Sequence, residues 1–206
     1  MPTLEPTVFI VDDDPAVRHS LMRLLGAAER RARAYASAEE YLSEYDRDAP
    51  GCLLLDVRMP GMSGLALQAR LAAHPKHVPV IMITGHGDVP MAVAAMKAGA
   101  LEFIEKPFDD DRLLRCVTAA LERDQAMRER LARLLERRQR LNDLSPRERE
   151  VLDGLARGET VEQIAVLLGI SPKTVYMHRT HLMDKLGSDS LANLVRLKLE
   201  ADGLGE

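Results

Sequence analysis

The sequence predicts a doubly wound α/β domain with a five-stranded parallel sheet, joined by a helical linker to a small all-α helix-turn-helix domain. Three observations lead to this prediction. Five apolar runs alternate with amphipathic segments between residues 8 and 121, which is typical of a parallel sheet flanked by helices. An arginine-rich stretch without Gly or Pro follows at 122–141. Beyond it, two helical segments flank Gly169, as in a helix-turn-helix.

The elements of the first domain are bounded by breakers and charges. The apolar run from Cys52 to Leu55 ends at Asp56, and Pro60 prevents its extension, a pattern that favours a strand buried on both faces. The predicted strands are Val8 to Val11, the weaker Ala32 to Ala36, Cys52 to Leu55, Val80 to Ile83 and Leu101 to Ile104. The helices are predicted to begin near Pro15, Ala38, Gly64, Val89 and Asp109.

Composition supports two globular units. The chain has 206 residues, of which 46% are hydrophobic and only 3% aromatic, with no Trp, so Ala, Leu, Val and Met must form most of the core. No apolar run approaches the roughly 20 residues that span a bilayer, and no basic segment precedes the first run. We therefore expect a cytoplasmic protein in which Cys52 and Cys116 are reduced.

The linker is marked by its charge. Residues 122–141 hold seven Lys/Arg and four Asp/Glu, whereas the whole chain has a net charge of −4. The absence of Gly and Pro predicts a helix there. Met127, Leu131 and Leu134 leave two possibilities open, a coiled-coil seam or a solvated helix. The predicted boundaries are 1–124 for the first domain, 125–141 for the linker and 142–206 for the second domain.

Polar side chains follow four of the predicted strands. They are Asp12 and Asp13 after the first strand, Asp56 after the third, Thr84 after the fourth and Lys106 after the fifth. Because parallel strands place their carboxyl ends at one edge of the sheet, we expect these side chains to converge there. Crowded carboxylates repel one another unless a cation is bound, and Mg²⁺ prefers such oxygen ligands. This pattern favours phosphoryl chemistry, with Asp56 as a nucleophile toward phosphorus and Lys106 neutralising phosphoryl oxygens.

The motifs IVDDD, LLLDVRMPGMSG, VIMITGHGDVPMAVAAMKAGA and FIEKPF resemble the receiver domain of two-component response regulators, over residues 6–121. The resemblance implies a flavodoxin-like fold, Mg²⁺ as cofactor and phosphorylation by a sensor histidine kinase. It also implies a role for each matching residue. Asp56 is the phosphoacceptor, Asp12, Asp13, Asp56 and the backbone carbonyl of Arg58 are Mg²⁺ ligands, Thr84 and Phe103 are switch residues, and Lys106, before a cis bond to Pro107, contacts the phosphate.

The second domain opens with the dipeptide Ser-Pro at 145–146, a capped helix start. This helix is predicted to end near Gly158, and the next one to run from Val161 to Leu168. After the turn at Gly169, Ser171 is placed to cap a third helix. Two helices around a tight turn that contains Gly form the helix-turn-helix arrangement.

The motifs LSPREREVL, QIAVLLGISPKTVYMH and LMDKLG resemble the LuxR/NarL-type DNA-binding domain over residues 142–203, and with the loop GHGDVPMAV they are most similar to the FixJ subfamily. The resemblance implies that the third helix enters the major groove of double-stranded promoter DNA. The base-facing positions are then Tyr176, Met177 and Thr180, and the phosphate-side candidates are Lys173, Thr174, His178 and Lys185. Tyr176 stands where the family often has Lys, which predicts fewer phosphate contacts and a flatter salt dependence.

Together the resemblances imply a response regulator that acts as a transcription factor and not as an enzyme, beyond catalysing its own phosphotransfer and dephosphorylation. Phosphorylation of Asp56 is expected to release the second domain and to favour a homodimer through the helix near 89–98 and the strand near 101–104. The dimer is expected to bind promoter DNA and to act on RNA polymerase.

Two other functions stay open on the residues alone. The same carboxylate and metal chemistry would serve an aspartyl-phosphate phosphohydrolase, although the sequence has no obvious substrate cap or second catalytic acid. The second domain would also serve as a protein-binding adaptor that never touches DNA, since residues 142–206 hold more Asp/Glu than Lys/Arg.

Overall fold

The computed structural model describes residues 5–74, 77–85, 89–188 and 190–202. The chain divides into two compact units, Met1–Arg128 and Glu129–Glu206, and each is described by itself. The division falls inside the predicted linker, beyond residue 124, and the predicted domain boundaries stay predictions. Within the described ranges, no helix has both the length and the apolar character needed to cross a membrane.

The first unit is a parallel sheet flanked by helices. Its strands are β1 (Thr7–Val11), β2 (Ala32–Tyr35), β3 (Gly51–Asp56), β4 (Val80–Thr84) and β5 (Glu102–Glu105). The helices that follow them are α1 (Pro15–Ala27), α2 (Ala38–Ser43), α3 (Gly64–Ala72), α4 (Val89–Lys97) and α5 (Asp110–Asn142), the last of which continues into the second unit. The strand order is β2-β1-β3-β4-β5, and every neighbouring pair is parallel. This order confirms the predicted doubly wound, flavodoxin-like fold.

The three central strands are buried on both faces. Every residue of β1, β3 and β4 is buried, so apolar side chains fill both sides of the sheet. Leu53 and Leu55 pack on one side, and Cys52 and Leu54 pack on the other, because successive side chains of a strand point to opposite faces. The packing of β3 therefore determines where its last residue, Asp56, lies.

At the other end of β3, a buried carboxylate ties the sheet to α5. Asp124 is 1% exposed, and its Oδ2 accepts hydrogen bonds from the Gly51 N–H at 2.9 Å and from Nε of Arg128 at 2.6 Å. The Arg128 guanidinium also donates to the backbone carbonyls of Asp48 at 3.0 Å and Ala49 at 2.8 Å. Arg128 lies within the predicted linker but contacts the first unit, so the segment 125–141 is not wholly separate from the sheet.

Replacing Asp124 by Ala is expected to lower the free energy of unfolding of the first unit by about 3 kcal/mol, because the Gly51 N–H loses its acceptor and Arg128 loses its carboxylate. Denaturant unfolding followed by hydrogen exchange of β3 measures the loss. The matched control is Glu129→Ala, which removes a carboxylate from the exposed i,i+4 pair with Arg133 at 3.7 Å and is expected to cost at most about 0.5 kcal/mol. Equal losses in the two variants would contradict the stabilising role of Asp124.

The second unit is helical, and its helices confirm the predicted helix-turn-helix fold. After α5 the described residues form α6 (Pro146–Ala156), α7 (Val161–Leu168), α8 (Pro172–Leu186) and α9 (Leu191–Asp202). Gly169 joins α7 to α8 with a φ of 63°, a left-handed conformation that glycine adopts without strain. The core contains side chains from all four of these helices, among them Val151, Ile164, Leu182 and Leu194. The helix α9 has no counterpart in the sequence prediction.

A buried carboxylate also connects α6 to α8. The Glu148 side chain is 5% exposed, and its Oε2 lies 2.7 Å from Nζ of Lys185. The same oxygen accepts a hydrogen bond from the Ser145 N–H at 2.9 Å. The hydrogen bond from Lys185 and then that from Ser145 lower the pKa of Glu148 to about 2. The ionised form of Glu148 is therefore favoured by folding.

This lowered pKa makes the stability of the second unit depend on pH. The ordinary pKa of Glu is 4.5, so the unfolded chain takes up a proton at a higher pH than the folded one. The stabilisation is complete above the unfolded pKa and is lost as the pH falls toward the folded pKa of about 2. We expect a loss of at most about 3 kcal/mol across this window.

Hydrogen exchange of α6 and α8 across the same pH window measures this loss. Glu148→Gln is the control, since its amide does not titrate while the other carboxylates of the chain still do. The variant is expected to be less stable at neutral pH and to lose less stability on acidification. A pH dependence identical to that of the native chain would show that Glu148 makes no such contribution.

Candidate functional site

Three charged side chains meet at the carboxyl edge of the sheet. Nζ of Lys106 lies 2.6 Å from Oδ2 of Asp12 and 2.8 Å from Oδ1 of Asp56. Asp12 is 2% exposed and Asp56 is 6% exposed. These residues follow or end β1, β3 and β5, and the parallel order of the strands brings them together although 94 positions separate Asp12 from Lys106 in the sequence.

Each carboxylate is also held by the backbone of its own loop. Oδ1 of Asp12 accepts a hydrogen bond from the Asp14 N–H at 2.9 Å, and Oδ2 of Asp56 accepts one from the Arg58 N–H at 2.7 Å. Both carboxylates therefore have one oxygen on the Lys106 ammonium and the other on a backbone N–H. This double attachment fixes their orientation at the edge of the sheet.

Burial and charge pairing act in opposite directions on these groups. Burial raises the pKa of Asp12, and the hydrogen bonds from Lys106 and the Asp14 N–H offset only part of the effect. Burial alone would lower the pKa of Lys106, but its hydrogen bonds to Asp12 and Asp56 outweigh burial and raise the pKa. Lys106 is therefore charged at neutral pH. Because the two carboxylates share one ammonium, a further cation at this edge would be stabilised.

The loop after Asp56 depends on glycine. A Cβ at Gly64 would lie 2.0 Å from the backbone oxygen of Asp56, so no larger residue fits there without moving the backbone. Gly61 has a φ of 75°, which favours glycine. Glu39 of α2 holds the same loop by accepting the Met62 N–H at 3.0 Å. The PGMSG motif thus allows the loop to return closely past the Asp56 backbone.

Arg18 of α1 supports the acidic loop and was not among the predicted site residues. Its Nη1 donates to the backbone carbonyls of Asp12 at 2.7 Å and Asp13 at 2.9 Å. Asp14 caps α1 by accepting the Ala16 N–H at 2.8 Å. Arg18 could have been predicted from the sequence, because it is a basic residue one turn after the acidic loop that caps α1. No local sequence pattern indicates that Glu39 holds the loop after Asp56.

The donor set fits Mg²⁺ as a partly hydrated ion. Asp12 and Asp56 are buried and Asp13 is exposed, and in the described part of the chain no three Asp, Glu, His or Cys side chains cluster closely enough to enclose a metal. Mg²⁺ usually takes one or two protein carboxylates and keeps waters or phosphate oxygens in its other positions. Asp12 and Asp56 would meet that need, and the roles of Asp12, Asp13, Asp56 and the Arg58 carbonyl as ligands stay predictions.

The predicted switch residues lie on the two strands beyond β3. Thr84 ends β4 and is 1% exposed, and its backbone carbonyl accepts the Lys106 N–H at 2.7 Å. Phe103 of β5 is partly buried against one of the apolar clusters of the sheet. The Lys106–Pro107 bond is cis. Residues 86–88 of the loop GHGDVPMAV lie outside the described residues.

In the second unit, α8 separates buried from exposed residues as the prediction requires of a surface helix. Val175 and Leu182 are fully buried in the core. Of the predicted base-facing residues, Tyr176 is 51% exposed and Met177 is 47% exposed, and Thr180 is exposed as well. These three side chains are therefore available to a partner.

The predicted phosphate-side residues of α8 are not equivalent. Lys173 is exposed, whereas the Thr174 hydroxyl lies 2.8 Å from the hydroxyl of the N-cap serine. His178 is half-buried, and its Nδ1 has no hydrogen-bond partner within the described ranges. The Lys185 ammonium binds Glu148 at 2.7 Å while its side chain stays 46% exposed, and its role on the phosphate side stays a prediction. A buried carboxylate that lacked this partner would be costly.

Two family models match the chain. The model of the response regulator receiver domain matches residues 8–118, which extend from β1 into the N-terminal part of α5. The model of bacterial regulatory proteins of the luxR family matches residues 142–198, which contain α6, α7 and α8. The two matches together cover both units.

Relatives match over nearly the whole chain. Nodulation protein W from Bradyrhizobium diazoefficiens is 44% identical over 190 residues, which are 92% of this chain and 84% of that protein. The transcriptional regulatory protein FixJ from Azorhizobium caulinodans is 45% identical over 197 residues, 94% of this chain and 92% of that one.

Solved structures of similar proteins cover both units as well. The response regulator StyR has a TM-score of 0.85 at 43% identity and covers 95% of this chain and 99% of its own. Full-length FixJ from B. japonicum has a TM-score of 0.57 at 38% identity and covers 97% of this chain and 98% of its own. A receiver domain followed by a luxR-family domain defines the class of two-component response regulator transcription factors. The chain belongs to this family, among its FixJ-like members.

The close approach at Gly64 predicts that Gly64→Ala destabilises the first unit by about 2 kcal/mol or more, because the new Cβ forces the backbone beside Asp56 to move. Thermal or denaturant unfolding measures the change. Gly26→Ala is the matched control: a Cβ there meets nothing within 4 Å, and Ala is favoured over Gly inside a helix such as α1, so this variant is expected to be neutral or more stable. A neutral Gly64→Ala would contradict the requirement for glycine.

Proposed function

We propose that Asp56 accepts a phosphoryl group from a cognate sensor histidine kinase and that this step controls promoter binding by the second unit. One observation carries the proposal: a buried carboxylate at a strand end is oriented by the Arg58 N–H at 2.7 Å and by Nζ of Lys106 at 2.8 Å. A carboxylate held in this way can attack phosphorus, while the lysine neutralises charge on the phosphoryl oxygens.

In the proposed transfer, a carboxylate oxygen of Asp56 forms a bond to phosphorus as the bond from phosphorus to the histidine nitrogen of the kinase breaks. The leaving nitrogen keeps the electron pair. Receiver domains of this family generally bind Mg²⁺ at their acidic pocket, and Mg²⁺ supplies positive charge for the phosphoryl oxygens. Asp12, Asp13, Asp56 and the Arg58 carbonyl would hold it. Lys106 supplies the remaining positive charge from the side of β5.

The aspartyl phosphate would change the surroundings of Lys106. A phosphoryl group adds about −1.5 to −2 charges and strong acceptor oxygens, so it would compete with Asp12 for the lysine and would offer an acceptor to the Thr84 hydroxyl. In the proposed switch, Thr84 moves toward the phosphate and Phe103 turns inward. Phe103 and Met91 of α4 are both packed at the margin of the same apolar cluster, so α4 and β5 would respond together.

Dimerisation is proposed to use the face formed by α4 and β5. On α4, Val89 is 77% exposed, Val93 is 46% exposed and Met96 is 47% exposed. Apolar side chains grouped on an exposed helix are typical of a surface that binds another protein. A dimer would place two copies of α8 on one DNA duplex, where the second contact gains from high effective concentration. The bound dimer would then act on RNA polymerase.

The proposal predicts that acetyl phosphate with Mg²⁺ phosphorylates the full-length protein at Asp56 and increases its affinity for promoter DNA about tenfold or more. Asp56→Asn is expected to abolish both effects, since the amide is not a nucleophile toward phosphorus. Phosphate-affinity gel electrophoresis and fluorescence anisotropy measure the two steps, and a chelator of Mg²⁺ should block the first.

Asp110→Asn serves as the matched control because Asp110 is an exposed carboxylate of the same unit, at the start of α5. It is expected to behave as the native chain in both assays. Equal phosphorylation and equal activation of the Asp56→Asn variant would refute the phosphoacceptor role. Steady hydrolysis of small phosphate esters would instead indicate a phosphohydrolase, and phosphorylation without DNA binding would indicate an adaptor.

A further inference from the structure

The two threonine hydroxyls of α8 are already engaged in hydrogen bonds. The Thr180 hydroxyl donates to the Tyr176 backbone carbonyl at 3.1 Å, so its proton is used within the helix. The Thr174 hydroxyl is in a hydrogen bond of 2.8 Å with the hydroxyl of Ser171. Both hydroxyls are therefore engaged in hydrogen bonds within this part of the chain, and each threonine keeps its methyl group.

The basic side chains of α8 differ in how accessible they are to a DNA partner. Lys185 is bound to Glu148 at 2.7 Å, and Arg179 is half-buried at the flank of the helix. Lys173, at the exposed N-terminal end of α8, is three and four positions before Tyr176 and Met177 and therefore lies on the same side of the helix. The exposed face consequently offers one ammonium beside a thioether and an aromatic ring.

The DNA bases present different chemical groups in the major groove to a helix face of this kind. In the major groove, guanine presents two acceptors and is read mainly by Arg or Lys, whereas thymine presents a 5-methyl group that is read by apolar contact. Met177 is 47% exposed and Tyr176 is 51% exposed, so both side chains have apolar surface to bury. Apolar side chains near the N-terminal half of a recognition helix lie where that helix approaches base edges.

We propose that this chain selects its DNA sites by apolar contact of Met177, Thr180 and Tyr176 with thymine 5-methyl groups. The inference rests on the proposed promoter binding and deepens it by naming the chemical class of base that α8 recognises. Lys173 would contact the phosphate backbone or one guanine and would add affinity with less discrimination. Sites are therefore expected to be rich in thymine at the positions that face α8.

The test replaces single methyl groups in the DNA. A randomised pool of duplexes of about 20 base pairs, long enough for two half-sites one helical turn apart, is selected with the full-length protein after acetyl phosphate treatment. Each thymine of the most enriched duplex is then replaced in turn by deoxyuridine, which lacks only the 5-methyl group. At the contacted positions binding is expected to weaken about fourfold for each methyl group removed.

Variants of α8 test whether its side chains cause the preference for thymine over deoxyuridine. Met177→Gln and Thr180→Ser are expected to reduce the ratio of thymine to deoxyuridine affinity at distinct positions, since the second removes a methyl group but keeps the hydroxyl. Val166→Gln is the matched control: Val166 is 82% exposed but lies on α7, and the ratio should not change. Equal binding of thymine and deoxyuridine duplexes would overturn the inference while leaving promoter binding intact. A pool in which no sequence is enriched would instead refute promoter binding itself.

Discussion

The salt bridge of one lysine to two buried carboxylates is the interaction on which the chemistry of the first unit depends. Asp12 and Asp56 are nearly inaccessible to solvent, and two buried like charges so close together would repel each other strongly. The Lys106 ammonium, within 2.8 Å of both, makes their coexistence possible. It compensates only one of the two charges. The remaining negative charge is what gives this edge of the sheet its capacity for a divalent cation.

This site can be predicted from the sequence because the prediction needs only the order of strands and helices and not the distances between residues. Asp12, Asp56, Thr84 and Lys106 each follow or end a strand, and in a parallel sheet the order of the elements alone brings their carboxyl ends together. Helix starts were predictable for a related reason. Ser145 and other N-cap residues act within one turn of the chain, so a short window of sequence contains the whole interaction.

Pairings between distant residues could not be predicted in this way. Asp124 binds the Gly51 N–H across 73 positions, and Lys185 binds Glu148 across 37. Gly51 begins β3 and Glu148 belongs to the N-terminal cap of α6, but the partner of each lies far away in the sequence, and a charge pattern does not tell which carboxylate a lysine will meet. Nothing in the sequence around Lys185 indicates that the packing of α6 against α8 brings its ammonium to Glu148.

The two ends of β3 also limit how the first unit can respond to phosphorylation. The Gly51 N–H is held by Asp124, Asp56 is held by Lys106, and all six residues of the strand are buried. A close-packed strand that is fixed at both ends resists movement along its length. If Asp56 is phosphorylated as proposed, the added charge would act across the sheet, through the Lys106 N–H on the Thr84 carbonyl and toward β5, where Phe103 is only partly buried. This asymmetry explains why α4 and β5, rather than the end of α5 held by Asp124, form the face at which a rearrangement is expected.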